Sequence, residues 1–210
     1  YIIHPTYVTE DDPDHEGRKR AVVTLWAKLE DGRSALIRIP AKPYFYVKAE
    51  DEKRARDVRL DYPVSFVSST LRSMQGKELL RVETSIPAHV PHIREAFEQQ
   101  DIQCFEADIR FSYRAMLDAG VRSVCDVRGE EKECGDADVL FESPVLTPVA
   151  EFVPMLDIMS FDIESDKDSG MIYCVSCYGS KGGRTKKESL IISDHPVRGA
   201  QTFVDEHDLI

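Results

Sequence analysis

Leu156-Asp157-Ile158-Met159-Ser160-Phe161-Asp162-Ile163-Glu164 is a run of β-forming residues that ends in two carboxylates. In a strand, side chains alternate between faces, so positions i and i+2 point the same way, roughly 6.5–7 Å apart. Asp162 and Glu164 therefore share a face with Leu156, Ile158 and Ser160, while Phe161 and Ile163 point to the other side. Unpaired buried charge costs several kcal/mol, so the pair must reach water, an arginine or a cation. Hard divalent cations such as Mg²⁺ or Mn²⁺ take carboxylate oxygens. Two of them, about 3.5–4 Å apart, drive phosphodiester hydrolysis by activating water and stabilising the leaving oxygen. Acidic residues at strand exits are also common, so the spacing leaves a plain solvated strand end open beside the metal site.

Downstream, Met171 to Tyr178 and Ser189 to Ser193 read as further strands, and Gln201 to Ile210 reads as the start of a helix. The basic run Lys181-Gly182-Gly183-Arg184 through Lys187 suits a solvated hairpin turn better than a DNA contact. Three strands and a helix start make half a domain, so residues 154–210 are expected to be an incomplete second unit. Upstream, the polar stretch from Arg128 to Asp138, followed by Pro144, Pro148 and Pro154, predicts a partly extended connection over 128–153. Residues 1–127 read as the first domain. Ala21 to Leu29 and Ser34 to Ile39 are strands joined at Glu30-Asp31-Gly32-Arg33, and Pro43 to Val47 is a short aromatic strand. Pro91 to Glu98 is a helix with Val90, Ile93 and Phe97 on one stripe, and Arg110 to Ala119 is a helix closed by Gly120. Hairpin-linked strands with short helices predict an α+β fold, with helices on one face of a mixed or antiparallel sheet.

The 210 residues carry 38 acidic against 27 basic side chains, a formal charge of −11. That argues against sequence-blind coating of DNA, which relies on Lys and Arg neutralising phosphates. It leaves room for a local basic groove on an acidic body. Arg94, Arg110, Arg114, Arg122 and Arg128 lie close together in the chain. No apolar run approaches the roughly 18–20 residues of a membrane helix, and the stretch from Tyr1 to Pro5 has no signal-peptide character. Five cysteines without such a signal suggest reduced thiols and a cytoplasmic setting. Cys174-x-x-Cys177 has no second pair to complete a zinc site, and the histidines show no metal spacing.

Met159-Ser-Phe-Asp-Ile-Glu-Ser165 resembles the first exonuclease motif of the family B DNA polymerases. The resemblance extends backward over most of the chain. Tyr1-Ile-Ile-His-Pro-Thr-Tyr7 resembles the opening strand of archaeal members, Pro43-Tyr-Phe-Tyr46 their Pro-Tyr-aromatic strand, and Val90-Pro-His-Ile-Arg94 their helix start. Phe105-Glu-Ala-Asp-Ile-Arg-Phe-Ser-Tyr-Arg114 with Leu117-Asp-Ala-Gly120 resembles the segment closing their N-terminal domain, with Arg110 where many members carry proline. The resemblance implies an N-terminal domain followed by the beginning of a ribonuclease H-like 3′–5′ exonuclease domain. It further implies a DNA-directed DNA polymerase active in replication or repair, with Mg²⁺ or Mn²⁺ in the complete enzyme. The expected partners are single-stranded template DNA, the remainder of the polymerase chain and a sliding clamp. In this chain Asp162 and Glu164 would be the catalytic and metal-binding pair of an incomplete exonuclease site. The further exonuclease and palm motifs are absent from these residues, so the 210-residue chain alone is expected to be inactive, with weak or no metal binding. The competing expectation is a stand-alone or split-gene nucleic-acid-binding protein without catalysis.

The resemblance also implies a template pocket that captures uracil. Its walls would be Tyr7, Pro43, Tyr44, Val90, Arg94 and Arg114. Uracil lacks one methyl relative to thymine, and rigid aromatic and proline walls reject extra volume at a cost of about 1–3 kcal/mol. Backbone groups can read the edge of an unstacked base, and arginines can neutralise nearby phosphates. Read without the resemblance, the same tyrosines are ordinary core aromatics and Arg94 an ordinary solvated residue.

Overall fold

The computed structural model describes residues 1–150 and 152–210. The chain divides into two units, Tyr1–Pro154 and Met155–Ile210.

The first unit opens with β1 (Ile2–Asp11), β2 (Lys19–Lys28) and β3 (Ser34–Ala41), antiparallel neighbours in that order. β2 is the middle strand of the three, and Ala21 to Leu25 are buried on both its faces. That is why this run is apolar and β-branched without the polar alternation of a half-solvated strand. Ala21, Val23, Leu25 and Ala27 point to one side, where they pack with Ile37, Phe111, Met116 and Val121. The β2–β3 turn forms at Gly32, whose φ of +89° suits glycine, as the sequence predicts. A charge ladder ties the sheet across its strands. Arg20 donates to Glu10 at 2.7 Å, and Arg38 reaches both Glu10 and, at 3.0 Å, Glu142. The Arg20 hydrogen bond, helped by Arg38 against the opposing effect of burial, holds the Glu10 carboxyl below its ordinary range.

At Lys42-Pro43 the chain leaves this sheet and enters a second one. β4 (Tyr44–Lys48) is followed by the short α1 (Glu52–Asp57), then β5 (Val64–Arg72), β6 (Glu78–Thr84), α2 (His89–Glu98) and β7 (Cys104–Phe105). The strand order is β5-β6-β4-β7. Ile93 and Phe97 of α2 and Ala55 of α1 cover Phe45, Val47, Leu80 and Val82, the second core. The stripe on α2 predicted this packing. β7 is only two residues long, because Glu106 turns the chain at φ +59°. The chain then returns to the first sheet through α3 (Phe111–Asp118), whose Phe111 and Met116 sit in the first core. Gly120 (φ +67°) donates to Leu117 O, and Val121 donates to Met116 O. This is a Schellman closure whose following residue, Val121, is buried beside Met116.

Residues 128–153, expected as a connection, instead carry strands of the first unit. These are β8 (Cys125–Arg128), β9 (Glu131–Lys132), β10 (Val139–Glu142) and β11 (Val145–Pro148). β10 runs parallel to β3, with Val139 opposite Ala35, and completes the sheet order β1-β2-β3-β10-β9. Val139 and Phe141 enter the first core. The polar residues around them are used locally: Arg33 pairs with Glu131 at 2.7 Å, and Asp138 accepts from Ser34 N and Oγ, both at 2.6 Å.

The second unit is one sheet, β12 (Ile158–Ser165), β13 (Ile172–Lys181), β14 (Arg184–Ile192) and β15 (Gln201–Phe203), in that order, with α4 (Glu206–Leu209). β13 and β14 meet at Gly182-Gly183, both at positive φ, which is the predicted hairpin turn. Gln201 to Phe203, expected as helix, pair in parallel with β14, and the helix starts only after Asp205, whose side chain accepts from Asp208 N. Among the described residues no helix is long and apolar enough to cross a membrane.

Gly120→Ala forces a Cβ into a left-handed backbone and is expected to lower stability by about 1–2 kcal/mol, read from urea unfolding. Because the Glu10 pKa is depressed on folding, its contribution is complete above the ordinary carboxylate range and is lost as pH falls from there through the lower folded-state pKa. Glu10→Gln should flatten the acid side of the stability–pH curve and leave its shape above neutrality unchanged.

Candidate nucleic-acid interface

β1 and β4 belong to different sheets, and the turn at Pro43 brings their side chains to one cleft. The cleft has a volume of about 410 Å³, inside the range of small-molecule sites. Tyr7, Pro43, Tyr44, Val90 and Arg114 all line it, so five of the six residues assigned from the resemblance converge. Tyr7 comes from β1, where it is 42% exposed and edge-on to Phe111, with ring centroids 5.5 Å apart. Val90 comes from the first turn of α2, and Pro87 and Pro91 flank it on the same wall.

Arg114 is the buried cation of the site, at 8% exposure. Its Nη1 lies 2.7 Å from a Glu106 carboxylate oxygen, and its Nη2 donates to the Glu106 carbonyl at 3.3 Å. Burial disfavours its charge, but Glu106 and the neighbouring Tyr44 outweigh that and raise its pKa, so the guanidinium stays charged. The guanidinium carbons of Arg114 and Arg81 both lie over the Tyr44 ring, 4.9 and 4.7 Å from its centroid. Tyr44 Oη donates to Asp118 at 2.6 Å. Burial and that hydrogen bond push the Tyr44 phenol well above its ordinary pKa, so the wall is neutral. Arg81 is in turn held by Glu83, a buried carboxylate that also lies 3.6 Å from Lys42.

Arg94 is the assigned residue that does not join. It sits one turn further along α2, with Nε 3.9 Å from Glu98. It also lies near Cys104, whose thiol burial pushes up to about 12, with Glu98 adding and Arg94 opposing. In the other direction, the cleft includes residues that the sequence reading did not single out: His4, Pro5 and Thr6 of β1, and Ile109, Phe111 and Ser112 around the start of α3. The available signal was the helix boundary at Arg110, which lines the cleft as well.

Asp162 and Glu164 do share a face of β12, opposite Ser176 and Cys174 of β13. All eight residues of β12 are exposed, so the carboxylates are solvated rather than buried. Among the described residues no group of three or more His, Cys, Asp or Glu side chains is placed to hold a metal. A hard cation needs about six oxygens, so the pair could supply part of a site and no more. Cys174 and Cys177 are three apart in β13 and so point to opposite faces, which removes them as a metal pair.

A curated DNA polymerase from Archaeoglobus fulgidus is 31% identical in an alignment 176 residues long, and the match covers 76% of this chain and 22% of the relative. The solved family B DNA polymerase from the archaeon Pyrobaculum calidifontis aligns with a TM-score of 0.63 at 23% identity, covering 95% of this chain and 27% of that one. The chain thus spans about a fifth to a quarter of the proteins it matches. No family model matches it. The resemblance read from the sequence is borne out by both comparisons.

Tyr44→Phe removes the hydrogen bond to Asp118 while keeping the ring under the two guanidiniums. It is expected to cost about 1 kcal/mol in urea unfolding. Tyr44→Ala also removes the ring and should cost several times more.

Proposed function

We infer that this relative of the archaeal family B DNA polymerases is a template-reading module, binding single-stranded DNA and capturing a base in the cleft of its first unit. The observation that carries the reading is the convergence of Tyr7, Pro43, Tyr44, Val90 and Arg114 on one cleft from four separate parts of the chain. Aromatic and proline walls resist deformation, and Tyr44 is braced by two cations and a carboxylate. A wall of that kind discriminates by volume, admitting uracil and turning away the methyl group of thymine. Arg114 is mostly consumed by Glu106, so its role here is to brace the wall.

In the complete enzyme, Asp162 and Glu164 would supply two carboxylates of a 3′–5′ exonuclease site for Mg²⁺ or Mn²⁺. Phe161 is 60% exposed and Ile163 45% exposed on the other face of the same strand. Large apolar residues in a row on an edge strand are a liability unless something covers them, and the remainder of the polymerase chain is the proposed cover. The 210 residues alone are then expected to show neither polymerase nor nuclease activity with Mn²⁺; nuclease activity that disappears in Asp162→Ala would refute this.

The decisive measurement for the cleft is a fluorescence titration of a uracil-containing single strand against its thymine twin. The uracil strand should bind about 5–150-fold more tightly, the range that about 1–3 kcal/mol of steric discrimination allows. Tyr7→Ala should narrow the difference by opening the wall. Equal affinities for the two strands end the base-capture reading.

A further inference from the structure

Uracil and thymine offer the same hydrogen-bonding groups and differ by one methyl, so only the shape of a cleft can tell them apart. A guanidinium free to swing into the cleft works against that. It donates to the oxygens of either base and to any nearby phosphate, which adds affinity to both strands alike. Arg114 lines the cleft and is such a group. Two of its three nitrogens are taken by one residue, Glu106, through the carboxylate at 2.7 Å and the backbone carbonyl at 3.3 Å. The third, Nε, is buried without a hydrogen-bond partner among the described residues. Held this way, the guanidinium carbon sits 4.9 Å from the centre of the Tyr44 ring.

Glu106 occupies its place under strain. Its φ of +59° lies in the left-handed region, which glycine accepts and a glutamate enters at a cost. Such strain persists only where the surroundings impose it, and it gathers at positions whose conformation is used. Here the turn presents the carbonyl and the carboxylate of one residue to the same guanidinium. The two braces on Tyr44 also differ. Glu83, which holds Arg81 over the ring, is buried, whereas the Glu106 carboxylate is half exposed. The Arg114 brace is therefore the one that solvent and a bound strand can reach.

We propose that Glu106 is a positioning residue that sets the selectivity of the cleft: it keeps Arg114 against Tyr44 and away from the strand, so that the cleft responds to the size of a base. The role in selectivity rests on the base-capture reading above; the hold on Arg114 does not. Without the carboxylate, Arg114 is a buried cation left with a carbonyl and a ring face, and it gains by turning toward a phosphate. Affinity then rises while selectivity falls. Loss of a direct contact, or a general loosening of the fold, lowers affinity instead.

The test titrates the full chain, by fluorescence, with the uracil strand and its thymine twin at several salt concentrations. Glu106→Gln should bind both strands about two- to five-fold more tightly, cut the uracil preference about three-fold or more, and steepen the salt slope by about 0.7, the value for one added contact on a single strand. Glu106→Gly separates the carboxylate from the backbone. Glycine accepts the left-handed turn, so this variant should stay folded in urea unfolding and still lose the preference. Asp108→Asn removes one exposed negative charge two residues along. It should tighten both strands and leave the preference unchanged, which separates positioning from bulk charge. In the ¹⁵N-labelled protein, the Arg114 Nε–H should exchange slowly with water in the parent and quickly in Glu106→Gln. A uracil preference that survives in both Glu106 variants overturns the proposal and leaves base capture standing. An Arg114 Nε–H that exchanges equally fast in parent and variant overturns it as well. If the parent binds the two strands equally while its Nε–H is slow only with Glu106 present, base capture has failed and the selectivity role goes with it, leaving the hold on Arg114.

Discussion

The buried charge of Arg114 is the constraint around which the first unit is arranged. A guanidinium at 8% exposure needs partners close by, because unpaired buried charge costs several kcal/mol; both Nη groups of Arg114 find them, and its Nε has none among the described residues. The answers come from different places. Glu106 supplies a carboxylate and a carbonyl from the turn between the sheets, and Tyr44 supplies a ring from the first residue of the second sheet. Arg114 itself stands on a helix packed against the first sheet. One cation thus locks two sheets and a helix at a single point, and the cleft is the space left beside that lock. Tyr44 extends it, since its phenol reaches Asp118 at the other end of the same helix.

Much of this was legible in local pattern. The apolar run at Ala21 to Leu25, the Gly32 turn, the Gly182-Gly183 turn, the α2 stripe and the Gly120 closure each follow from residue chemistry within a few positions. What escaped was non-local. Val139 to Glu142 is a four-residue strand inside a polar stretch, and its partner β3 lies about a hundred residues earlier. No short-range periodicity can announce such a pairing, because four residues are too few to distinguish a strand from a loop and the deciding energy is the burial of Val139 and Phe141 in a distant core. Gln201 to Phe203 failed for the same reason: the parallel edge of β14 overrode the local helical tendency.

The candidate site divides along similar lines. Tyr7, Pro43, Tyr44, Val90 and Arg114 were placed by motif, and the structure gathers them. Arg94 was placed by the same reasoning and falls outside the cleft. Val90 and Arg94 are one helical turn apart, so the helix axis alone carries the second about 6 Å away, and Glu98 one turn further on draws the guanidinium in that direction. Motif spacing names the residue but cannot say which way a long, flexible side chain turns. Glu106 was missed for the opposite reason. Its part comes from a left-handed backbone and a contact with Arg114, and neither leaves a trace in the residue type.

The net charge of −11 looks hostile to a polyanion, but charge acts over about 8 Å at physiological ionic strength, so the local count near the cleft matters more than the total. There three of the acids are engaged: Glu106 with Arg114, Glu83 with Arg81 and Lys42, Asp118 with the Tyr44 hydroxyl. Each pair cancels most of its own field at short range. Among the described residues beside the cleft, what remains without an ion-pair partner is Arg110, with Asp108 two residues before it. An acidic body with one such opening repels a nucleic acid from most of its surface and accepts it at one place, which favours a single register over indiscriminate coating. For the proposed template-reading role, that distribution is more useful than a basic surface, because affinity spread along the body would hold every register equally well.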